Sequence, residues 1–191
     1  GVSIGKNKNT ELKNAYEDYI FCMNQSYEVA DYLAINISSP NTEGLRDLTA
    51  NEFIERLICE ISSEKKKLEA KFNKSVPIFV KISPDENDSS LLNLIRVCEE
   101  QGINGFIISN TYKGEALGMS GGISGKMLKE KSLNMLKKVN SLRNKNTTLI
   151  SSGGISSKTD VQERIKHGAD LIQIYTSFIY KGPLIIEELL N

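Results

Sequence analysis

Short apolar runs recur along this chain, and each gives way to a segment of helical period. This alternation constrains the fold more than any other feature. Continuous apolar strands joined by helices belong in a parallel sheet covered on its faces. Val2 to Ile4 opens the series, and Leu12, Ala15, Tyr16, Tyr19, Ile20 and Met23 follow at helical spacing. Tyr32 to Ile37 reads as the next strand. Asn51 to Phe72 then reads as a long amphipathic helix, with Phe53, Ile54, Leu57, Ile58 and Ile61 on one side and Lys65-Lys66-Lys67 on a solvated face. Strands are expected at 77–82, 105–109, 148–151 and 171–175. Helices are expected at 89–101, 129–140, 157–167 and 184–190. The pattern is α/β, a βα repeat of about six strands. A (β/α)8 TIM barrel has eight strands and about 250 residues, so two units of such a barrel are not visible here. No GxGxxG follows the first strand, which leaves a dinucleotide-binding unit weakly supported.

Polar residues gather where these strands end. Asn36-Ile37-Ser38-Ser39-Pro40-Asn41-Thr42-Glu43-Gly44-Leu45-Arg46 follows one apolar run. Its asparagines supply paired donors and acceptors for a planar polar ligand, and Ser39 offers a hydroxyl able to accept a proton. The same residue types also make ordinary turns. Lys81 lies near the end of the next strand. Ser109, Asn110 and Thr111 end another, Gly153 and Gly154 a fourth, and Tyr175 and Thr176 the last. In a barrel of this kind the active site lies at the C-terminal ends of the strands. Five polar ends in succession are harder to ascribe to solvated turns than one.

Lys81 sits between Phe79, Val80 and Ile82. An unpaired buried ammonium is costly, so such a lysine needs a partner. Two readings stand: a cation facing an anionic ligand or electron-rich ring, or an edge lysine that reaches out to water. Gly121-Gly122-Ile123-Ser124-Gly125 and Ser152-Gly153-Gly154-Ile155-Ser156 read as glycine-rich loops, each before a helix. Glycine lets the backbone approach a phosphate, and a helix N-terminus favours an anion. The second loop carries more weight, because Tyr175-Thr176 ends the next strand and the last βα loops are the usual phosphate site of this architecture.

The remaining composition excludes several classes of function. With 24 basic and 24 acidic side chains the formal net charge is zero, so nucleic-acid binding is not suggested. Cys22, Cys59 and Cys98 form no CxxC pair, which indicates neither a disulfide framework nor a zinc site. His167 is the single histidine, which argues against a histidine-based triad or a multi-histidine metal site. Its place before Gly168 reads as the last turn of a helix. The 191 residues suffice for one domain, and no apolar run approaches the ~20 residues of a membrane span. The start, Gly-Val-Ser-Ile-Gly, reads as a strand end, as if internal to a longer protein.

Seven motifs, in order and spacing, resemble those of dihydroorotate dehydrogenases of the quinone-linked class 2 branch, in the style of apicomplexan parasites. They are Gly5-Lys6-Asn7-Lys8, the 36–46 segment, Val80-Lys81-Ile82-Ser83-Pro84-Asp85, Ser109-Asn110-Thr111, Gly121-Gly122-Ile123-Ser124-Gly125, Ser152-Gly153-Gly154-Ile155 and Gln173-Ile174-Tyr175-Thr176. The resemblance implies that 1–191 is a single, partial FMN-binding (β/α) barrel domain. It implies oxidation of dihydroorotate to orotate in pyrimidine synthesis, with electrons passing from FMN to ubiquinone at the mitochondrial inner membrane. Ser39 matches the catalytic base, and class 1 members carry Cys there; Thr42 matches the residue lining its proton route. Asn36, Asn41, Asn110 and Thr111 match substrate contacts. Asn36 also matches a flavin contact, and Lys81 matches the lysine beside the flavin ring. Ser109, Gly125, Gly154, Tyr175 and Thr176 match cofactor-binding positions. Ser3 stands where many members have a flavin-contacting asparagine, so that contact is shortened or lost.

By the same resemblance, two barrel strands, a second substrate lysine, a substrate loop, the quinone-tunnel helices and a C-terminal extension lie outside these residues. Membrane association would come only through that N-terminal region. The 191 residues expressed alone are expected to be poorly folded and inactive. Two alternatives remain: another FMN-dependent pyrimidine reductase, or a non-catalytic, truncated flavin-barrel module. Ser39 in its Ser-Ser-Pro-Asn setting speaks against a dihydropyrimidine enzyme, and the lack of a basic patch against a dihydrouridine enzyme.

Overall fold

Six parallel strands run side by side in chain order. The computed structural model describes residues 1–39, 51–116 and 118–190. The strands of the sheet are β1 (Val2–Gly5), β2 (Leu33–Asn36), β3 (Ile78–Ile82), β4 (Gly105–Ile108), β7 (Thr148–Ser152) and β8 (Leu171–Gln173). Between them run α1 (Ala15–Ser26), α2 (Asn51–Phe72), α3 (Asp88–Glu100), α4 (Lys129–Leu142) and α5 (Lys158–Lys166), and α6 (Thr176–Lys181) and α7 (Ile185–Leu190) follow β8. β5 (Tyr112–Ala116) and β6 (Met119–Ile123) form a separate antiparallel hairpin. The expected strands and helices are present, with ends shifted by a residue or two. The 171–175 strand ends at Gln173, and the one larger departure is α1, which starts at Ala15 after a 3-10 turn over Leu12–Asn14.

The register assigns each strand residue to a face, since alternate residues point to opposite sides. Leu33 pairs with Ile78, and Ile35 with Val80. These residues, with Phe106, Ile108 and Leu149, join the main core against α1 to α4. The amphipathic reading of α2 holds: Ile54, Leu57, Ile58 and Ile61 are buried there. Lys66 and Lys67 are exposed as expected, but Lys65 is half-buried and donates to Asn104 Oδ1 at 3.0 Å.

The opposite face carries Ala34, Phe79, Ile107 and Ile150, a second and smaller cluster. Tyr32 packs on it, edge-on to Phe79 at 5.8 Å. Its hydroxyl accepts from Gln173 Nε2 at 3.2 Å. β2 and β8 lie four strand spacings apart, about 19 Å in a flat sheet. A hydrogen bond across that gap requires the sheet to curl around this face, as the wall of a (β/α)8 barrel does. Among the described residues β1 and β8 do not pair, so the wall is open, and Leu171 on its inner face remains 55% exposed.

The hairpin takes in part of the 121–125 run expected as a glycine-rich loop. It follows β4 and is pinned at its base: Lys113 N–H donates to Asp85 Oδ2 at 3.4 Å, and Lys131 of α4 pairs with Asp85 while lying over the Tyr112 ring at 4.6 Å. Gly121 to Ile123 therefore belong to a strand, and only Ser124 and Gly125 lead into the 3-10 turn, Gly125–Leu128, that opens α4. His167 is the C-cap of α5, followed by Gly168 at φ 95°, as the sequence suggested. Cys22, Cys59 and Cys98 are free thiols within α1, α2 and α3.

Candidate functional site

At the C-terminal ends of the strands lies a cavity of about 720 Å³, within the range of small-molecule and cofactor sites. Eight of the residues singled out in the sequence line it: Lys81, Ser109, Asn110, Thr111, Gly125, Gly154, Tyr175 and Thr176. Asn36 reaches the same place through a hydrogen bond with Asn110. Ser39 lies three residues beyond Asn36, is half-buried, and is not among the residues that line the cavity. Asn41 and Thr42 lie outside the described residues. Ser3 is exposed on β1, paired in register with Ala34, and does not line the cavity.

One end of the cavity is built from polar side chains at the ends of β2, β3 and β4. Tyr19, fully buried on α1, donates its hydroxyl proton to Asn36 O at 2.9 Å and accepts from the Lys6 backbone N–H. It thereby ties the end of β1 to the end of β2. Asn110 Nδ2 donates to Asn36 Oδ1 and to Ser38 Oγ, both at 3.2 Å, and Ser38 Oγ donates to Lys81 O at 2.6 Å. Asn110 N–H donates to Ile82 O at 2.9 Å, which continues the ladder one step past β4. Lys81 shares the inner face with Asn36, its register partner. Burial pushes its ammonium below the usual lysine range, and among the described residues it has no ion-pair partner.

The other end is built from backbone. Gly125, Gly153 and Gly154 all have positive φ, at 65°, 105° and 72°. A Cβ on Gly154 would stand 2.4 Å from Lys129 Cα, and one on Gly153 would stand 2.7 Å from Leu128 Cδ2. The loop after β7 therefore rests directly on the start of α4, which only glycine permits. Thr176 Oγ1 donates to Ser124 Oγ at 3.1 Å, which joins the start of α6 to the Gly125 turn. Tyr175 is the N-cap of α6 and not a strand residue, and it is largely exposed.

Two buried charges on α5 brace this loop. Arg164, 0% exposed, donates from Nη2 to Lys129 O at 2.8 Å, Ser132 Oγ at 3.0 Å and Gly153 O at 3.1 Å. Asp160 caps its own helix with Ser157 and pairs with Lys129 at 2.5 Å. Burial works against the Asp160 charge. The Lys129 ammonium and the hydrogen bonds from Ser156 and Ser157 outweigh it and hold the carboxyl at about 2.

Sequence reasoning missed Ser38 and Arg164. Ser38 lies two residues after Asn36, a period-2 spacing that hinted at a shared face. Arg164 lies four after Asp160, which puts both on one helix face. The site as a whole combines a half-buried cation, oriented amides and a glycine cradle. It suits a planar polar group at one end and an anionic tail at the other.

The chain resembles known proteins over its whole length. A family model described as dihydroorotate dehydrogenase matches residues 1–191. The dihydroorotate dehydrogenase (quinone) of Aliivibrio salmonicida is 38% identical, over 100% of this chain and 59% of its own length. That of Dichelobacter nodosus is 42% identical, over 100% of this chain and 58% of its own. The crystal structure of DHODH in complex with ferulenol from Eimeria tenella superposes with a TM-score of 0.90 at 34% identity, over 99% of this chain and 55% of that one. The chain thus spans less than two thirds of the length of these relatives.

Proposed function

This chain belongs to the dihydroorotate dehydrogenase family, and from that premise we propose that the whole protein oxidises dihydroorotate to orotate in pyrimidine biosynthesis. We take FMN as its resident cofactor and a quinone, specifically ubiquinone, as the final electron acceptor. The observation that carries this reading is the single cavity into which Lys81, Asn110 and the glycine cradle converge. Its donor set fits a flavin mononucleotide. A lysine without an ion-pair partner among the described residues suits an electron-rich ring, and a glycine loop with left-handed backbone suits a phosphate-bearing tail.

A bound flavin would supply the hydride acceptor for C6 of the substrate. Handling of the substrate and holding of the cofactor fall to the protein's own residues. Ser39 takes the C5 proton; a serine hydroxyl is a weak base unaided, and Thr42 lines the route by which that proton leaves. Asn36, Asn41, Asn110 and Thr111 hold the substrate's ring amides and carboxylate. Lys81 keeps positive charge beside the cofactor ring, while Ser109, Gly125, Gly154, Tyr175 and Thr176 hold the cofactor; Ser3, exposed and away from the cavity, takes no part in holding it. We place the whole protein at the mitochondrial inner membrane on the strength of the quinone-linked resemblance. No described helix is long and apolar enough to cross a membrane.

The test is an anaerobic visible spectrum of the full-length protein before and after dihydroorotate is added. A flavin spectrum that bleaches on addition is the expected outcome. A protein purified without flavin, or a flavin that stays oxidised, overturns the reading.

A further inference from the structure

We infer that Ser38 is a positioning residue that sets the polarity of the substrate end, so that the site accepts a ring edge on which C=O and N–H alternate. The inference rests on the proposed function, since it concerns how that site reads its substrate. Ser38 is 1% exposed. The two faces of a side-chain amide differ in polarity but hardly in shape, so hydrogen-bond partners decide which way each amide points. Here backbone groups of fixed polarity decide it for two amides, and a third orients the Ser38 hydroxyl. Ser38 N–H donates to Asn36 Oδ1 at 3.3 Å, and Thr111 N–H donates to Asn110 Oδ1 at 2.8 Å. The Lys81 carbonyl takes the one hydroxyl proton of Ser38, at 2.6 Å.

With its proton committed, Ser38 Oγ can only accept, and it accepts from Asn110 Nδ2 at 3.2 Å. The second Asn110 N–H goes to Asn36 Oδ1 at 3.2 Å. Both Asn110 protons are therefore used within the protein. What this pair leaves for a ligand is the Asn36 amide nitrogen, which has no partner among the described residues, and the second lone pair of Asn110 Oδ1. A donor next to an acceptor matches a carbonyl beside a ring N–H. Turning either amide over would set like groups against each other and leave buried donors unpaired. Such a site rejects an edge of the wrong polarity more strongly than an apolar pocket does.

The experiment uses the full-length, flavin-loaded protein with two probes, orotate and orotate methylated on its imide nitrogen. Binding is read from the change in the flavin spectrum. Ser38→Ala is expected to weaken orotate about tenfold to a hundredfold and to narrow its preference over the methylated analogue by about tenfold. Ser38→Thr, which keeps the hydroxyl, is expected to restore both. A merely structural serine would lower thermal stability and flavin content without changing the ratio between the probes. An unchanged ratio in flavin-loaded Ser38→Ala overturns the inference. If that variant loads no flavin, Ser38→Thr and Ser38→Cys decide. A wild-type ratio in Thr with a narrowed one in Cys supports the inference, and equal ratios in both overturn it. Wild-type protein whose flavin does not respond to orotate would overturn the functional reading itself, an outcome distinct from a wild type that responds and a variant that responds equally.

Discussion

At its tail end the cavity takes its shape from backbone: three positive-φ glycines, one of them resting on the start of α4. At its ring end the shape comes from side chains, with Asn36, Ser38 and Asn110 wired to one another and Lys81 without an ion-pair partner among the described residues. The first kind of site tolerates no added atom. The second tolerates a change of size better than a change of polarity. One end fails sterically and the other electrostatically, so substitutions at the two ends should have different signatures.

The largest effect is expected at the tail end. Gly154→Ala adds a Cβ 2.4 Å from Lys129 Cα at a residue with φ 72°. Backbone strain and overpacking together cost about 4 kcal/mol, roughly 10 °C in Tm. Thermal unfolding should show this with and without flavin, because the clash is internal to the protein. A loss confined to the flavin-bound form would break the distinction between the ends.

Lys81→Met tests the ring end, with opposite signs in the two states. Removing an unpaired, partly buried ammonium should stabilise the flavin-free protein by about 1 kcal/mol. The same change should weaken flavin binding by about tenfold. Parallel melts and flavin titrations check both, and a flavin-free Tm that falls would mean that Lys81 has a structural partner.

The smallest effect is expected from the brace behind the cradle. The Asp160 carboxyl is held at about 2 in the folded protein against an ordinary 3.8. Its stabilisation is therefore fully present above pH 3.8 and is lost as pH falls through about 2. Asp160→Asn should cost about 1 kcal/mol at neutral pH and flatten the stability profile between those two values. An unchanged acid slope in urea unfolding would separate this ion pair from the stability of the tail end.

The sequence by itself determined the βα alternation, the core faces of the strands and of α2, and which strand ends carry polar residues. Apolar periodicity is local, and the hydrophobic effect that enforces it acts alike on each segment. The glycines of the cradle were legible for the same reason, since only glycine relieves a left-handed backbone pressed against a helix. The hairpin was not legible: Tyr112–Ala116 and Met119–Ile123 hold three glycines and bury little, and long-range contacts with Asp85 and Lys131 pin them. Arg164 was not singled out, because only α4, α5 and the β7 loop together enclose it. Ser38 was hidden beside Ser39, because a hydroxyl's role depends on which carbonyl takes its proton, and Lys81 O lies 43 residues away in the chain. Only the curled sheet brings such groups within hydrogen-bond range, and that distance cannot be read from the order of residues.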